Sequence, residues 1–566
     1  MRGIHFGLTG LSVLLASCAT QVAPVAPVIA PYNLKISNGT IYDGSGGASY
    51  VGDVAVSGDK IVCVGHCPGP AIERIDATGL AVAPGFINML SWATESLIAD
   101  GRGQSDIRQG VTLEVMGEGE SMGPWNAAMK ANEAARQGDI KYRIDWTSLG
   151  EYLAYLERKG ISPNVASFVG ATTVRVHELG EGDVDPTPEQ LQRMRMLVRQ
   201  AMDEGAMGVG SSLIYAPANF AETPELIALA SEAGRCGGMY ISHIRDEGPK
   251  LIEAIDELVE ISEKSGAPAE IYHFKQSGRD NWGKIDAAIG RVEAARARGL
   301  RITADMYTYP ASSTGFDAAM PLWVQAGGIE QWVGRLKDPA TRARALADMR
   351  KPDASENTKL AVQEPDKVLL VGFKTEALKL LTGKTLGDVA RERGKPPEEV
   401  IADLIVADNS RIQVVYFGMS EENVARHVTL PWMAFDSDAA AMAPEGVFLK
   451  SSTHPRAYGN FARLLGKYVR DEKRLSLAEA VRRLTSFPAA NLGIKDRGAL
   501  KSGNFADIAI FDPARIADRA TFTQPQQYAV GMVHVLVNGV PVLRDGEHTG
   551  ATPGRFVKGP GAGRCR

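Results

Sequence analysis

Residues 238–309 hold two strand-like runs that each end in a histidine, then a third that ends in an aspartate. The runs read GMYISHIRDEG, APAEIYHFKQSG and LRITADMYTYP, and they place His243, His273 and Asp305 at intervals of 30 and 32 residues. Between them Leu251, Ile252, Ile255, Leu258 and Val259 recur at helical spacing, as do Ile285, Ile289 and Val292. Strand–helix–strand units of this length predict a parallel sheet, because each crossover must pass back over the sheet. Ligands of such sheets gather at the carboxyl ends of the strands, where both histidines fall. Neutral imidazoles from adjacent strands can converge on one ion. Satisfied histidines at strand ends are the bland alternative, and the matched placement of the pair argues against it.

The same rhythm extends on both sides. Val111–Met116, NVASFVG (164–170) and AMGVGSS (206–212) are strand candidates, with helices expected over Leu191–Glu204 and Glu222–Arg235. This is the pattern of an α/β chain folded as a (β/α)8 TIM barrel, placed at residues 84–499. Residues 335–430 break the rhythm with charged, mostly helical sequence and read as an inserted cap over the barrel mouth. A strand then resumes at 432–437 in the run MAFDSDA, whose carboxyl end carries Asp436 and Asp438. The short β segments of 33–83 and 500–550 are expected to pair into one small composite sandwich.

Composition excludes some functions. Net charge is only −5 over 566 residues and no basic stripe appears, so nucleic acid is not an expected partner. No apolar run long enough to span a membrane follows the N-terminus. At the N-terminus, Arg2 precedes the apolar stretch Leu8–Leu15, and Leu15-Ala16-Ser17-Cys18 follows. That resembles a bacterial lipoprotein signal over residues 1–18, with Cys18 as the acylated first residue and 19–32 as a tether. Simple secretion is the second reading. The expected location is the cell envelope, facing the periplasm, with the membrane touched only through the lipid. In an oxidising compartment Cys63 and Cys67 are close enough for a local disulfide. Free thiols, or a metal knot with His66 that lacks a fourth ligand, are the alternatives.

Several longer motifs resemble the N-acyl-D-amino-acid deacylase (D-aminoacylase) branch of the amidohydrolase superfamily. They are PGFIN, RQGVT, YISHIRDEG, IYHFK, ADMYTYPASST, THPRAYGNFARLLGKYV and LTSFPAANLGIKDRGALKSGNFADIAIFDP, and they span roughly residues 34–550. The resemblance implies a zinc-dependent hydrolase that cleaves the amide of a small N-acyl amino acid or a related carboxylate-bearing amide. His243 and His273 match the histidines of the family's tightly held zinc, and Asp438 matches its catalytic aspartate. Arg456 matches the arginine that fixes the substrate carboxylate, and Tyr307 and Ser313 lie where substrate contacts are expected. In such sites the metal acidifies water and polarises the carbonyl while a carboxylate shuttles the proton.

Two departures qualify the resemblance. Where the family carries His-x-His, this chain has Leu90 and Trp92, which cannot ligate zinc, so one metal per chain is expected. Lys275, a residue that could bridge two metals if carbamylated, then has no pair to bridge. Where the family carries a cysteine ligand stands Gly119, so Glu118 or Glu120 is expected to supply the third ligand; solvated loop charges are the alternative. A binding or non-catalytic relative that has lost part of its metal site is the competing function. No feature of the sequence sets an oligomeric state.

Cys18 should therefore carry the lipid. Mass spectrometry of membrane-extracted protein is expected to find a diacylglyceryl group on it, lost in Cys18→Ser. Recovery of both forms unmodified from the soluble fraction would contradict this.

Overall fold

The structure, a computed structural model, describes residues 31–565 together with Met1, Gly3, Ile4 and Gly7. Cys18 and the expected signal segment around it lie outside the described residues. Both ends of the chain enter one nine-stranded sheet. Its join is Ala81–Pro84, which pairs parallel with Tyr32–Ile41 on one side and antiparallel with Ile508–Phe511 on the other. Strand alternation explains the layering. Ile508 and Ile510 pack with Leu34, Ile36, Val54 and Val56 in a core of the sheet's own. Ala509 and Phe511 point the other way into the main core, where the Phe511 ring meets Phe86 edge-on at 6.2 Å.

Beyond the join the strands are short and parallel. Phe86–Asn88, Val111–Met116 and Asn164–Ser167 form one group. Val169–Gly170, Gly208–Ser212, Met239–His243, Ala269–Ile271 and Ile302–Ala304 form another. The run expected as a strand at 432–437 is extended but joined by isolated contacts instead of a regular ladder. The Ala434 N–H donates to Ala304 O at 2.7 Å and the Asp438 N–H to Leu90 O at 3.0 Å, so this run touches both groups. Every one of these strands is buried, as parallel strands between helices must be.

Helix starts are set by caps that the apolar pattern alone misplaces. The helix expected from Leu191 begins at Pro188, because Thr187 and Gln190 form a reciprocal capping box ahead of it. The helix that returns from His243 runs over Leu251–Ser265 and buries Leu251, Ala254, Ile255, Leu258 and Ile261. Helices in the 335–430 region pack with a three-stranded antiparallel sheet of Ser312–Gly315, Gln413–Tyr416 and Val368–Gly372. Trp332, Leu336, Leu370, Val389, Leu404 and Tyr416 share its core, which therefore starts before residue 335.

Among the described residues two disulfides are formed. Cys63 pairs with Cys67, with His66 exposed between them and no metal knot. Cys236, just past the helix Thr223–Arg235, pairs with Cys565. The segment leading to Cys565 runs beneath the parallel strands, with Val557 N–H on Val165 O and Gly559 N–H on Gly205 O, both 2.9 Å.

Candidate metal centre

Three residues from three strand ends converge. His243 is the last residue of its strand, His273 follows Ala269–Ile271, and Glu118 lies in the loop after Val111–Met116. One oxygen of Glu118, Oε1, lies 3.0 Å from His243 Nδ1 and 3.0 Å from His273 Nε2. All three candidate ligand atoms fall within 4.8 Å of one another, the one such cluster among the described residues. Two imidazoles and a carboxylate are an accepted donor set for zinc. Burial alone would raise the Glu118 carboxyl, yet hydrogen bonds from both histidines hold it well below the ordinary carboxylate range.

Local backbone decides which glutamate takes part. Gly119 sits at φ +70°, and a Cβ there would lie 2.4 Å from Ser212 Cβ, so no side chain fits. The turn it makes sends the neighbouring side chains apart. Glu120 ends up lining the cavity in front of the site, outside the ligand cluster, so the expectation for Glu120 as a ligand fails. His273 also occupies the left-handed region, at φ +34°, and Asp438 at φ +42°. Each such non-glycine residue costs on the order of 1–3 kcal/mol and persists where its surroundings over-determine it. For His273 the surroundings include Asp305, which accepts the His273 N–H at 2.5 Å. Asp305 thus supports the strand end and does not enter the ligand cluster.

No sequence pattern points to Glu247. It lies four residues past His243 in an irregular loop, where no periodicity marks it. Its Oε1 is 3.2 Å from His273 Nδ1, 3.5 Å from His243 Nε2 and 2.6 Å from Lys275 Nζ. A carboxylate behind ligating histidines fixes their orientation. Lys275 is engaged in this ion pair.

Asp438 faces the cluster from the 432–438 run. Its Oδ2 pairs with Arg456 Nη2 at 2.8 Å, and its Oδ1 accepts the Trp92 indole N–H at 3.2 Å. Burial raises the Asp438 carboxyl, with Arg456 and His273 acting in the opposite direction. Asp436, two residues earlier, is buried against Asp305 and does not line the cavity. Arg456 is buried, and its Nε and Nη1 have no hydrogen-bond partner. Its guanidinium lies 4.4 Å over the Tyr307 ring. Tyr307 itself is fully buried, with its hydroxyl on Met419 Sδ, so it backs Arg456 and does not reach the cavity as expected. Ser313 does line it, with its hydroxyl on Val414 O. The cavity, about 610 Å³, runs from the metal ligands to Thr314, Lys374 and Arg411 of the capping region.

The chain matches the amidohydrolase family over residues 73–543. It is 31% identical over 537 residues to D-aminoacylase from Alcaligenes xylosoxydans xylosoxydans, covering 93% of this chain and 98% of that protein. A solved D-aminoacylase with a binuclear metal centre superposes with a TM-score of 0.78 at 30% identity, covering 93% of this chain and all of the other. An N-acyl-D-glutamate deacylase from Bordetella bronchiseptica, solved with zinc and a phosphonate inhibitor that mimics the tetrahedral intermediate, does so at 0.76 and 27%, covering 94% and 100%. The chain belongs to the amidohydrolase family. Leu90 and Trp92 of this chain differ in their relation to the cluster. Leu90 is buried in one core cluster with Ile87, Leu113, Val115 and Phe168, and its carbonyl accepts the Asp438 N–H. Trp92 turns its indole N–H onto Glu118 and Asp438.

If Glu118, His243 and His273 form the site, removing one histidine leaves two ligands and a poor site. His243→Ala and His273→Ala should each lose most of their bound zinc by elemental analysis. Unchanged zinc in both variants would contradict the assignment.

Proposed function

We propose that this protein hydrolyses the amide bond of N-acyl amino acids, as a D-aminoacylase-like enzyme with one zinc per chain. The observation that carries the reading is the meeting of Glu118, His243 and His273 beside the Asp438–Arg456 pair in one cavity. Counting the interrupted run 164–170 as one strand, the parallel strands and the 432–438 run then read as one closed (β/α)8 barrel, and the nine-stranded sheet as the composite sandwich of the two chain ends. A divalent metal held by Glu118, His243 and His273 would supply the Lewis acidity for attack on the amide.

The protein's own groups do the rest. Asp438 takes the proton of the attacking water and returns it to the leaving nitrogen. Of the two aspartates on this run it alone lines the cavity, which supports it over Asp436. Arg456 holds the substrate carboxylate. Its two unpartnered nitrogens are buried at the cavity, and a buried guanidinium with free donors is a site for a planar anion. Tyr307 fixes the guanidinium plane from behind. Retention of this pair speaks against the non-catalytic alternative. Two disulfides support export to an oxidising compartment, in keeping with a lipid-anchored protein of the envelope.

The roles separate in kinetics. Asp438→Asn should lower kcat by about 10²-fold or more with metal retained. Arg456→Lys should chiefly raise KM for carboxylate-bearing substrates, since an ammonium cannot reproduce the fork. Near-normal turnover by Asp438→Asn with a dead Asp436→Asn would reverse the assignment, and activity in both variants would end the scheme.

A further inference from the structure

The Trp92 indole is placed between the two carboxylates that the proposed chemistry uses. The Nε1 atom is 3.0 Å from Glu118 Oε2 and 3.2 Å from Asp438 Oδ1. An indole has one N–H and accepts nothing, so a single proton is shared between both oxygens. Among the described residues neither oxygen has another donor. Their partner oxygens are committed elsewhere: Glu118 Oε1 to the two histidines, Asp438 Oδ2 to Arg456. The backbone holds the ring there. Trp92 N–H donates to Ala439 O at 2.9 Å, and Ser91 N–H donates to Val115 O at 2.8 Å, tying the residue to the runs that carry Asp438 and Glu118.

We propose that Trp92 is a positioning residue, which fixes the spacing between the metal-ligating and the proton-transferring carboxylate through one shared N–H. Two carboxylates this close repel, and without a donor between them each has a nearby alternative. Glu118 would be free to turn its second oxygen toward the histidines and any metal they hold, and Asp438 could close both oxygens onto Arg456. Either movement displaces a group whose geometry sets the rate, and misplacement of about 1 Å costs about 10²-fold. The inference rests on the hydrolase reading above.

The test compares Trp92→Phe, which loses the N–H, with Trp92→His, which keeps a ring N–H, each loaded with one equivalent of zinc. Trp92→Phe should weaken zinc binding, measured by chelator competition, by about 10–100-fold, the range for lost outer partners of a metal site. At saturating zinc it should lower kcat by a similar factor with KM little changed. Trp92→His should recover most of both. If the parent hydrolyses no N-acyl amino acid, the functional reading fails, while the zinc competition still reports on Trp92. A Trp92→Phe variant that matches the parent in zinc affinity and kcat, or a Trp92→His variant equally impaired, would overturn the proposal. Should Trp92→Phe not fold, a crystal structure of the zinc-loaded parent decides: Nε1 within 3.5 Å of both carboxylates supports the assignment, and loss of either contact overturns it.

Discussion

Everything in the site depends on one carboxylate oxygen that faces two imidazole nitrogens in a buried place. Glu118 Oε1 lies 3.0 Å from each of His243 and His273, and these three residues come from three different strand ends. Buried charge is costly unless paired, so the arrangement demands a positive partner: protons on the histidines or a metal ion between them. Glu247 adds a second carboxylate behind the same histidines, with Lys275 balancing it. A parallel sheet supplies the frame, since neighbouring strands deliver their last residues to one level.

Among the positive-φ non-glycine residues, His273 and Asp438 belong to the site itself. Both are non-glycine residues in the left-handed region, both face the cluster, and each is held by hydrogen bonds from an adjacent run. Asp305 grips the His273 N–H, and Leu90 O accepts the Asp438 N–H. Strain that the surroundings enforce at facing residues is what a preorganised site looks like.

The histidine pair was legible in the sequence because regular strands and returning helices carry a period that marks where each strand ends. The choices that the sequence left open all turn on residues that are not extended. Glu118 and Glu120, two apart, would share a face of a strand; Gly119 at φ +70° separates them, and only Glu118 reaches the histidines. Asp436 and Asp438 pose the same question, and φ +42° at Asp438 sends one against Asp305 and the other into the cavity. Glu247 lies in a loop with no period to reveal it. The Cys236–Cys565 pairing spans 329 residues and leaves no local trace. Tyr307 had the right neighbourhood but the wrong task, because a tyrosine one layer behind an arginine looks, in sequence, like one beside it.

The central proposal is a single metal held by Glu118, His243 and His273, with none bound beside Leu90 and Trp92. Anomalous diffraction at the zinc edge from zinc-loaded crystals tests it most directly. One peak per chain is predicted, at about 2.0–2.2 Å from a Glu118 oxygen and a nitrogen of each histidine. A second peak about 3.5–4 Å from the first, or a lone peak away from these three residues, would contradict it.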